Sequence, residues 1–265
     1  MRKTAITLLA LGLAAALVTP AFATQYLSEA FPYPNGALGS ATAATPNATT
    51  GWYTHSGTGG TLPNDIAVSS GVAVGLMSNS PDDSKNFSQV LTATDKVYGC
   101  FLCTIPTPGT LPVVTNYFAH FKGQGTATNF VARVYVGPGT DNSHFKFGIT
   151  TQNTVASIQW WATDLNFDQQ YTIAIAYDAS NGVSNLWVNP VNETSTNLAS
   201  TDPLIGSIIG AFALRESTSG LPSGTSNWGY KVDQIGCAST FDEACVAGPT
   251  PANTPTWGKI KSLYR

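Results

Sequence analysis

Charged side chains are the scarcest feature of this sequence, at 10% of 265 residues, against roughly a quarter in an average soluble domain. Such low charge beside 43% hydrophobic residues excludes an intrinsically disordered chain and a coiled coil, since both depend on many charged residues. Twelve basic residues against fifteen acidic ones exclude a strongly basic nucleic-acid-binding protein. A neutral polar surface over an apolar core remains, which is typical of all-β extracellular domains.

Glutamate is scarcer still, with only Glu29, Glu193, Glu216 and Glu243. A retaining glycosidase needs two carboxyl groups roughly 5–5.5 Å apart, which on a strand means acidic residues two or four positions apart. None of the four has such a partner on a predicted strand. The sequence also lacks a Gly-x-Ser-x-Gly motif and His-x-His or His-x-x-x-His metal spacing. We therefore predict no catalytic residues and a protein that is not an enzyme.

The N-terminus has the three parts of a signal peptide. Arg2 and Lys3 precede an apolar run over residues 5–18, and small residues lead up to Ala23, after which we expect cleavage. The run is shorter than the roughly 20 apolar residues of a membrane-spanning helix. We predict that residues 1–23 are removed, that the mature chain has no membrane span, and that a bacterium secretes it or displays it on its surface.

The C-terminus differs from the body in composition and charge. Residues 246–256 form a Pro/Thr-rich linker, and residues 257–265 form a basic aromatic tail similar to short C-terminal tags on secreted bacterial proteins. The predicted docking or sorting residues of the tail are Trp257, Lys259, Lys261, Tyr264 and Arg265. Residues 24–248 hold seven basic and fifteen acidic side chains, a net charge of −8, and we expect them to repel polyanions such as nucleic acid or acidic polysaccharide.

Four cysteines, Cys100, Cys103, Cys237 and Cys245, are an even number in an exported chain and predict disulfides. A zinc ribbon usually has two Cys-x-x-Cys pairs, whereas here the second pair is eight positions apart. A thioredoxin-like redox motif needs a βαβ setting, which the sequence does not show. We expect the pairing 100–103 with 237–245, and the alternative is cross-pairing between the two segments.

Short β-prone segments, several of them alternating, are separated by Pro-Gly and Asn-Gly turns and predict a β-sandwich or barrel in one domain over residues 24–245. The main predicted strands are 97–105, 113–121, 130–136, 144–150, 171–177, 183–188, 207–214 and 228–235.

Six segments in this order resemble a group of secreted bacterial proteins with a concanavalin A-like, or laminin G-like, jelly roll. They are Glu29–Leu38, Gly51–Gly57, Asn116–Phe121, Phe130–Val136, Leu186–Pro190 and Val232–Gly236. The resemblance implies an all-β, two-sheet antiparallel jelly-roll sandwich with one concave face. Proteins of this fold include lectins, carbohydrate-binding modules, glycoside hydrolases, polysaccharide lyases and adhesion modules, so the fold alone does not choose a function.

Tryptophans supply the predicted binding residues, because sugar rings stack on exposed aromatic rings. Trp160 and Trp161 are adjacent at the end of a predicted strand, so one ring faces the core and the other faces out. Trp187 alternates with apolar neighbours and is a third candidate for stacking. His55 lies near a predicted turn and His120 lies among aromatic residues, and we interpret both as structural.

Calcium is the one cofactor considered, with Asp82, Asp83 and Asn86 as oxygen ligands in a predicted loop. The segment 144–152 resembles part of a polysaccharide lyase signature, but the accompanying segments of that signature are missing. We therefore predict a secreted, non-catalytic, glycan-binding or adhesive module whose partner is a glycan or another cell-surface polymer. The alternative is a structural subunit that self-associates into an extracellular filament or layer, and the third reading is a glycoside hydrolase or polysaccharide lyase.

Overall fold

Two antiparallel β-sheets make up nearly all of the described structure. The computed structural model describes residues 23–41, 45–57, 59–63, 65–77, 81–216 and 228–246. The strand pairing confirms the predicted all-β, two-sheet antiparallel sandwich. The predicted signal peptide, apart from Ala23, and the predicted tail lie outside the described residues. Within those ranges no helix is long and apolar enough to cross a membrane.

The first sheet has nine strands in the order β15-β14-β13-β7-β17-β5-β4-β2, with β1 pairing to β17 beside β5. Its strands are β1 (Gln25–Glu29), β2 (Gly36–Ala37), β4 (Ala67–Ser69), β5 (Val72–Leu76), β7 (Lys96–Thr104), β13 (Gln170–Asp178), β14 (Val183–Val188), β15 (Leu198–Ala199) and β17 (Gly229–Ala238).

The second sheet has eight strands in the order β11-β10-β9-β8-β16-β6-β3, with β12 also pairing to β10. Its strands are β3 (Tyr53–Ser56), β6 (Asp82–Asn86), β8 (Asn116–Lys122), β9 (Phe130–Pro138), β10 (His144–Thr150), β11 (Gln159–Trp160), β12 (Leu165–Asn166) and β16 (Ala211–Arg215). A 3-10 helix, Val155–Ser157, precedes β11.

The main core lies between the two sheets and is built by alternation along the strands. Phe101 of the nine-stranded sheet contacts Phe118 and Phe212 of the eight-stranded sheet, with ring centroids 6.3 and 5.6 Å apart. All three rings are almost fully buried, and burial of each contributes roughly 1.5–3 kcal/mol. Because every second residue of a strand faces this core, the intervening side chains of the eight-stranded sheet face away from it.

A short helix, α1 (Phe241–Val246), covers the outer face of the nine-stranded sheet. Cys245 in this helix forms a disulfide with Cys100 of β7, so the alternative of cross-pairing is correct. The expected pairs 100–103 and 237–245 are wrong, because Cys100 and Cys103 lie three residues apart on one extended strand. Cys103 and Cys237 are buried free thiols.

A third apolar cluster lies on the outer face of the eight-stranded sheet, away from the main core. It consists of Tyr117, Tyr135 and Ile158, with Trp160 packed against it. Register shifts between β8 and β9 interrupt the strict alternation beside this cluster, and Ala132 adopts a positive φ of 52° there. These bulges bring more polar and aromatic side chains to the outer face than regular strands would.

Candidate functional site

Strand register places a row of side chains across the middle of the outer face. Tyr53 on β3 pairs with Ser84 on β6, Ser84 pairs with Ala213 on β16, and Ala213 pairs with His120 on β8. Paired residues point to the same side of a sheet. Two small side chains therefore lie between the larger side chains of Tyr53 and His120, and all four residues are buried.

Two histidines meet beside this row of side chains. The rings of His55 and His120 lie 5.9 Å apart, and Phe130 lies 5.6 Å from the first and 4.7 Å from the second. His120 is fully buried, and His55 is half-buried. None of their four ring nitrogens has a hydrogen-bond partner within the part of the chain that the structure describes.

Both imidazoles are neutral at neutral pH for a physical reason. Burial lowers the pKa of His55 to about 3, and the positive charges of Lys122 and Arg215 act in the same direction. Burial also lowers the pKa of His120 well below its usual value, helped by His55 and the neighbouring cations. A neutral imidazole offers one N–H donor and one nitrogen acceptor, so the pair presents two donors and two acceptors to a ligand.

Two arginines flank Tyr117 on the same face. The Arg215 guanidinium carbon lies 4.1 Å from the centre of the Tyr117 ring, and that of Arg133 lies 5.5 Å from it. Arg215 Nη1 donates to Asn116 Oδ1 at 2.6 Å, and Arg133 Nη1 donates to the Thr151 carbonyl at 2.9 Å. These bonds hold both guanidinium groups in place, and the buried Arg133 Nε–H has no acceptor among the described residues.

Lys122 at the end of β8 is a cation close to these histidines and arginines. Its ammonium donates to the carbonyl oxygens of Gly123 (2.9 Å) and Gly125 (2.5 Å) and lies 5.6 Å from the centre of the Tyr53 ring. Burial lowers the pKa of Lys122 to about 8. We call His55, Tyr117, His120, Lys122, Arg133 and Arg215 the outer-face cluster.

Asp82 is the carboxylate that strand pairing brings to the outer-face cluster. It pairs in register with Arg215, and its Oδ2 lies 3.9 Å from Arg215 Nε and accepts from the Ser56 hydroxyl at 2.7 Å. With neutral histidines, the three cations of the outer-face cluster and the Asp82 carboxylate carry a net charge of about +2. Lys146 of β10 lies on the same face and is paired with Asp164 at 3.6 Å. The charge of the site is therefore opposite to that of the body as a whole.

Trp160 is the predicted aromatic residue that lies at this site. It pairs with Gly148, which pairs with Tyr135, and its half-buried ring packs beside Tyr135 and Tyr117. A Cβ at Gly137 would lie 2.3 Å from Trp160 Cη2, and one at Gly148 would lie 2.8 Å from Cε3. The two glycines therefore let the indole lie close over β9 and β10, at the edge of the outer-face cluster.

The other two predicted tryptophans lie elsewhere. Trp161 packs partly against the main core and lines a cavity of about 230 Å³ with Leu198. The prediction that Trp187 is an exposed stacking residue is wrong. Its ring is buried beneath α1 against Phe241, and its Nε1–H donates to the Glu193 carbonyl at 3.1 Å.

The prediction that Asp82, Asp83 and Asn86 bind one calcium ion together is wrong. Asp82, Asp83 and Asn86 lie in β6 rather than in a loop, so Asp83 points to the opposite face, and Asn86 lies roughly 13 Å along the strand from Asp82. Asp83 is buried and accepts from Thr54 at 2.9 Å. Burial and the nearby Asp65 carboxylate raise its pKa well above the usual value, which makes Asp83 a poor cation ligand.

Sequence reasoning missed the outer-face cluster and interpreted its histidines as purely structural. A signal was present, because Lys122, Arg133 and Arg215 are three of only seven basic residues in the body and each follows an apolar residue inside a predicted strand or at its end. Charged residues seldom occupy such positions without a partner or a function. Their convergence on one face became visible only with the strand register.

No protein-family model matches the chain, and no match is found among curated proteins. Solved structures similar to it include the lectin UEA-II complexed with galactose, at 13% identity over 82% of this chain and 100% of that one, with a TM-score of 0.47. They also include a β-glucanase of Bacillus licheniformis, at 14% identity over 82% and 99%, with a TM-score of 0.45. A marine PL7 alginate lyase from Zobellia galactanivorans has 11% identity over 81% and 94%, with a TM-score of 0.46. At these identities the likeness concerns the fold alone.

Proposed function

We propose that this protein is an exported, non-catalytic carbohydrate-binding protein whose ligand lies on the outer face of the eight-stranded sheet. The observation that carries the proposal is the set of buried polar groups without partners, namely the four imidazole nitrogens of His55 and His120 and the Nε–H of Arg133. Each buried polar group left unpaired costs about 1–3 kcal/mol. Such a cost is offset when a ligand supplies the missing hydrogen bonds.

Sugar hydroxyl groups are able to form hydrogen bonds with these unpaired donors and acceptors. Each hydroxyl both donates and accepts, as a neutral imidazole does with its two nitrogens. The half-buried ring of Phe130 packs against both histidines, and that of Trp160 packs against the Tyr117 and Tyr135 cluster. Both rings offer apolar surface for a sugar face. The fixed side chains around Tyr117 present a preorganised site, which reduces the entropic cost of binding.

Export is part of the proposal because disulfides persist mainly in oxidising compartments. The Cys100–Cys245 disulfide and the signal-like N-terminus support a location outside the cytoplasm or at the cell surface.

Affinity electrophoresis in gels that contain neutral or acidic polysaccharides tests whether the protein binds a polysaccharide and whether the binding site includes Trp160. We expect at least one polysaccharide to retard the wild-type protein. Trp160→Leu should lose most of this retardation, whereas the matched control Trp161→Leu should keep it, because the neighbouring ring packs towards the main core. Circular dichroism confirms that each variant is folded. Absence of retardation by every polysaccharide, or equal loss in both variants, would refute the proposal.

Catalysis on the same ligand is a second candidate, favoured by one observation. The rings of Tyr117 and His120 lie 5.5 Å apart beside two arginines, and imidazole and phenol groups serve as general bases and acids in enzymes. Hydrolysis by paired carboxylates has no support here, because Asp82 is bound to Ser56 and Arg215. Chromatography of each retarding polysaccharide after long incubation decides between the two candidates: an unchanged chain length supports binding alone, and shortened chains support catalysis.

A further inference from the structure

The charged groups of the outer-face cluster point to one class of ligand. Of the seven basic residues in the body, Lys122, Arg133 and Arg215 lie together on this face. Asp82 faces them, whereas Glu216 follows Arg215 and accepts the Leu76 N–H at 2.7 Å. A cationic surplus is therefore concentrated on one face of a body with more than twice as many acidic as basic residues.

Burial makes this surplus costly when nothing binds. Arg133 is 8% exposed, Arg215 is 3% exposed and Lys122 is fully buried. Buried charge is strongly unfavourable unless it is paired and hydrogen-bonded. Lys122 is bound to backbone carbonyls only, and the Arg133 Nε–H has no acceptor among the described residues. An anion at this position would supply both the missing charge and the missing acceptor.

We propose that the bound glycan carries a carboxylate or a sulfate ester, and that this anionic group lies beside the Arg133 Nε–H and the His120 imidazole, near Lys122. This inference rests on the proposed function and specifies its ligand. It differs from the expectation that an acidic body repels acidic polysaccharides, because the cationic side chains are segregated on the binding face. Guanidinium groups suit both anions, since their N–H donors match the spacing of two oxygen acceptors.

Pairs of polysaccharides that differ only in the acidic group test the inference. The probes are polygalacturonate and polymannuronate with their carboxyl-reduced forms, and carrageenan with its desulfated form, all measured by isothermal titration calorimetry. We expect at least one acidic form to bind about tenfold or more tightly than its neutral counterpart. The uronate and carrageenan arms distinguish a carboxylate from a sulfate ester.

The outcomes separate the two proposals. Equal or tighter binding of the neutral forms would overturn the anionic ligand and leave the proposed carbohydrate binding intact. Absence of binding to every probe would overturn both. Tighter binding of an acidic form supports both.

Variants of Arg133 locate the anion. Arg133→Met should weaken binding of the acidic form about 10–100-fold, the usual effect of losing a charged hydrogen bond, and should change binding of the neutral form far less. Arg133→Lys should recover part of the loss. Lys231→Met, which removes an exposed positive charge from β17 of the other sheet, is the matched control and should bind like the wild type. An equal loss for both ligand forms in Arg133→Met would indicate a structural role and overturn the placement.

Discussion

His120 illustrates, at the scale of single residues, how a binding group differs from a core group. Its ring is fully buried against Phe130 and Tyr117, yet neither nitrogen is bonded within the described residues. A side chain chosen only for stability at this position would be apolar. Retention of an unsatisfied imidazole is the pattern expected where stability is exchanged for function.

Replacement of His120 by Phe tests this exchange. We expect the variant to unfold at a higher urea concentration, with about 1–3 kcal/mol greater stability in the absence of ligand, because two unsatisfied buried nitrogens are removed and the ring shape is kept. The same variant should lose glycan binding. Urea titration monitored by fluorescence measures the first effect. A destabilised variant would show that the imidazole is a structural group, since a group with bonds to lose would behave in that way.

His55 should make the folded protein sensitive to acid. Its pKa is about 3 in the folded state against 6.5 ordinarily, so between these values the unfolded chain binds the extra proton. The free energy of unfolding therefore falls as pH drops from about 6.5 to 3, by an amount on the order of a few kcal/mol from this residue.

The comparison of wild type with His55→Phe isolates this contribution from that of other groups, such as Asp83, whose pKa is raised by burial. Urea midpoints at intervals from pH 7 to pH 3 should fall less steeply in the variant. Parallel pH profiles would contradict the low pKa of His55.

The elements show which features the sequence predicts well. The predicted strands 97–105, 144–150 and 171–177 agree closely with β7, β10 and β13, because apolar alternation and β-branched residues are local signals. The outer-face cluster depends instead on which strands are neighbours and on the bulges between β8 and β9. A bulge shifts the facing of later residues by one position, so alternation counted along the sequence does not predict which face His120 occupies.

Helix α1 is a second feature whose contacts the local sequence does not predict, and it allows a further prediction. The position of Trp187 within β14 suggested an outward-facing ring, but Phe241 of the helix covers it with ring centroids 5.4 Å apart.

Cys245→Ala should lower the free energy of unfolding by about 2–4 kcal/mol, because the Cys100–Cys245 disulfide restricts the unfolded chain.

The variant should also expose Trp187, which a red shift of tryptophan emission reports when Trp187→Phe in the same background serves as the control. Non-reducing peptide mapping of the wild type should find Cys100 linked to Cys245. A link between Cys100 and Cys103 would contradict the structure, and an unchanged stability in Cys245→Ala would show that α1 does not depend on the disulfide.

At the scale of the whole molecule, the distribution of charge is more informative than its total. A net charge of −8 over residues 24–248 argues against polyanion binding only if the charges are mixed evenly. Exposed charges interact over about 8 Å at physiological salt, so distant acidic side chains have little effect on a ligand held at Arg133. The local field of the outer-face cluster therefore governs which ligand binds.

Lys122 should give this binding a distinctive dependence on pH. Burial holds its pKa at about 8, so the ammonium is charged below that pH and neutral above it. Affinity for an acidic glycan should fall as pH rises through 8, and bound anion should move the midpoint upward because it favours the charged amine. The charged groups that face this ligand besides Lys122 are Arg133, Arg215 and Asp82, and the two histidines are neutral. Lys122→Arg should bind with constant affinity from pH 7 to pH 9.5, since a guanidinium stays protonated, whereas Lys122→Met should bind weakly throughout. Calorimetry with the tightest acidic probe makes the measurement, and a wild-type affinity that does not change across pH 8 would remove Lys122 from the binding site.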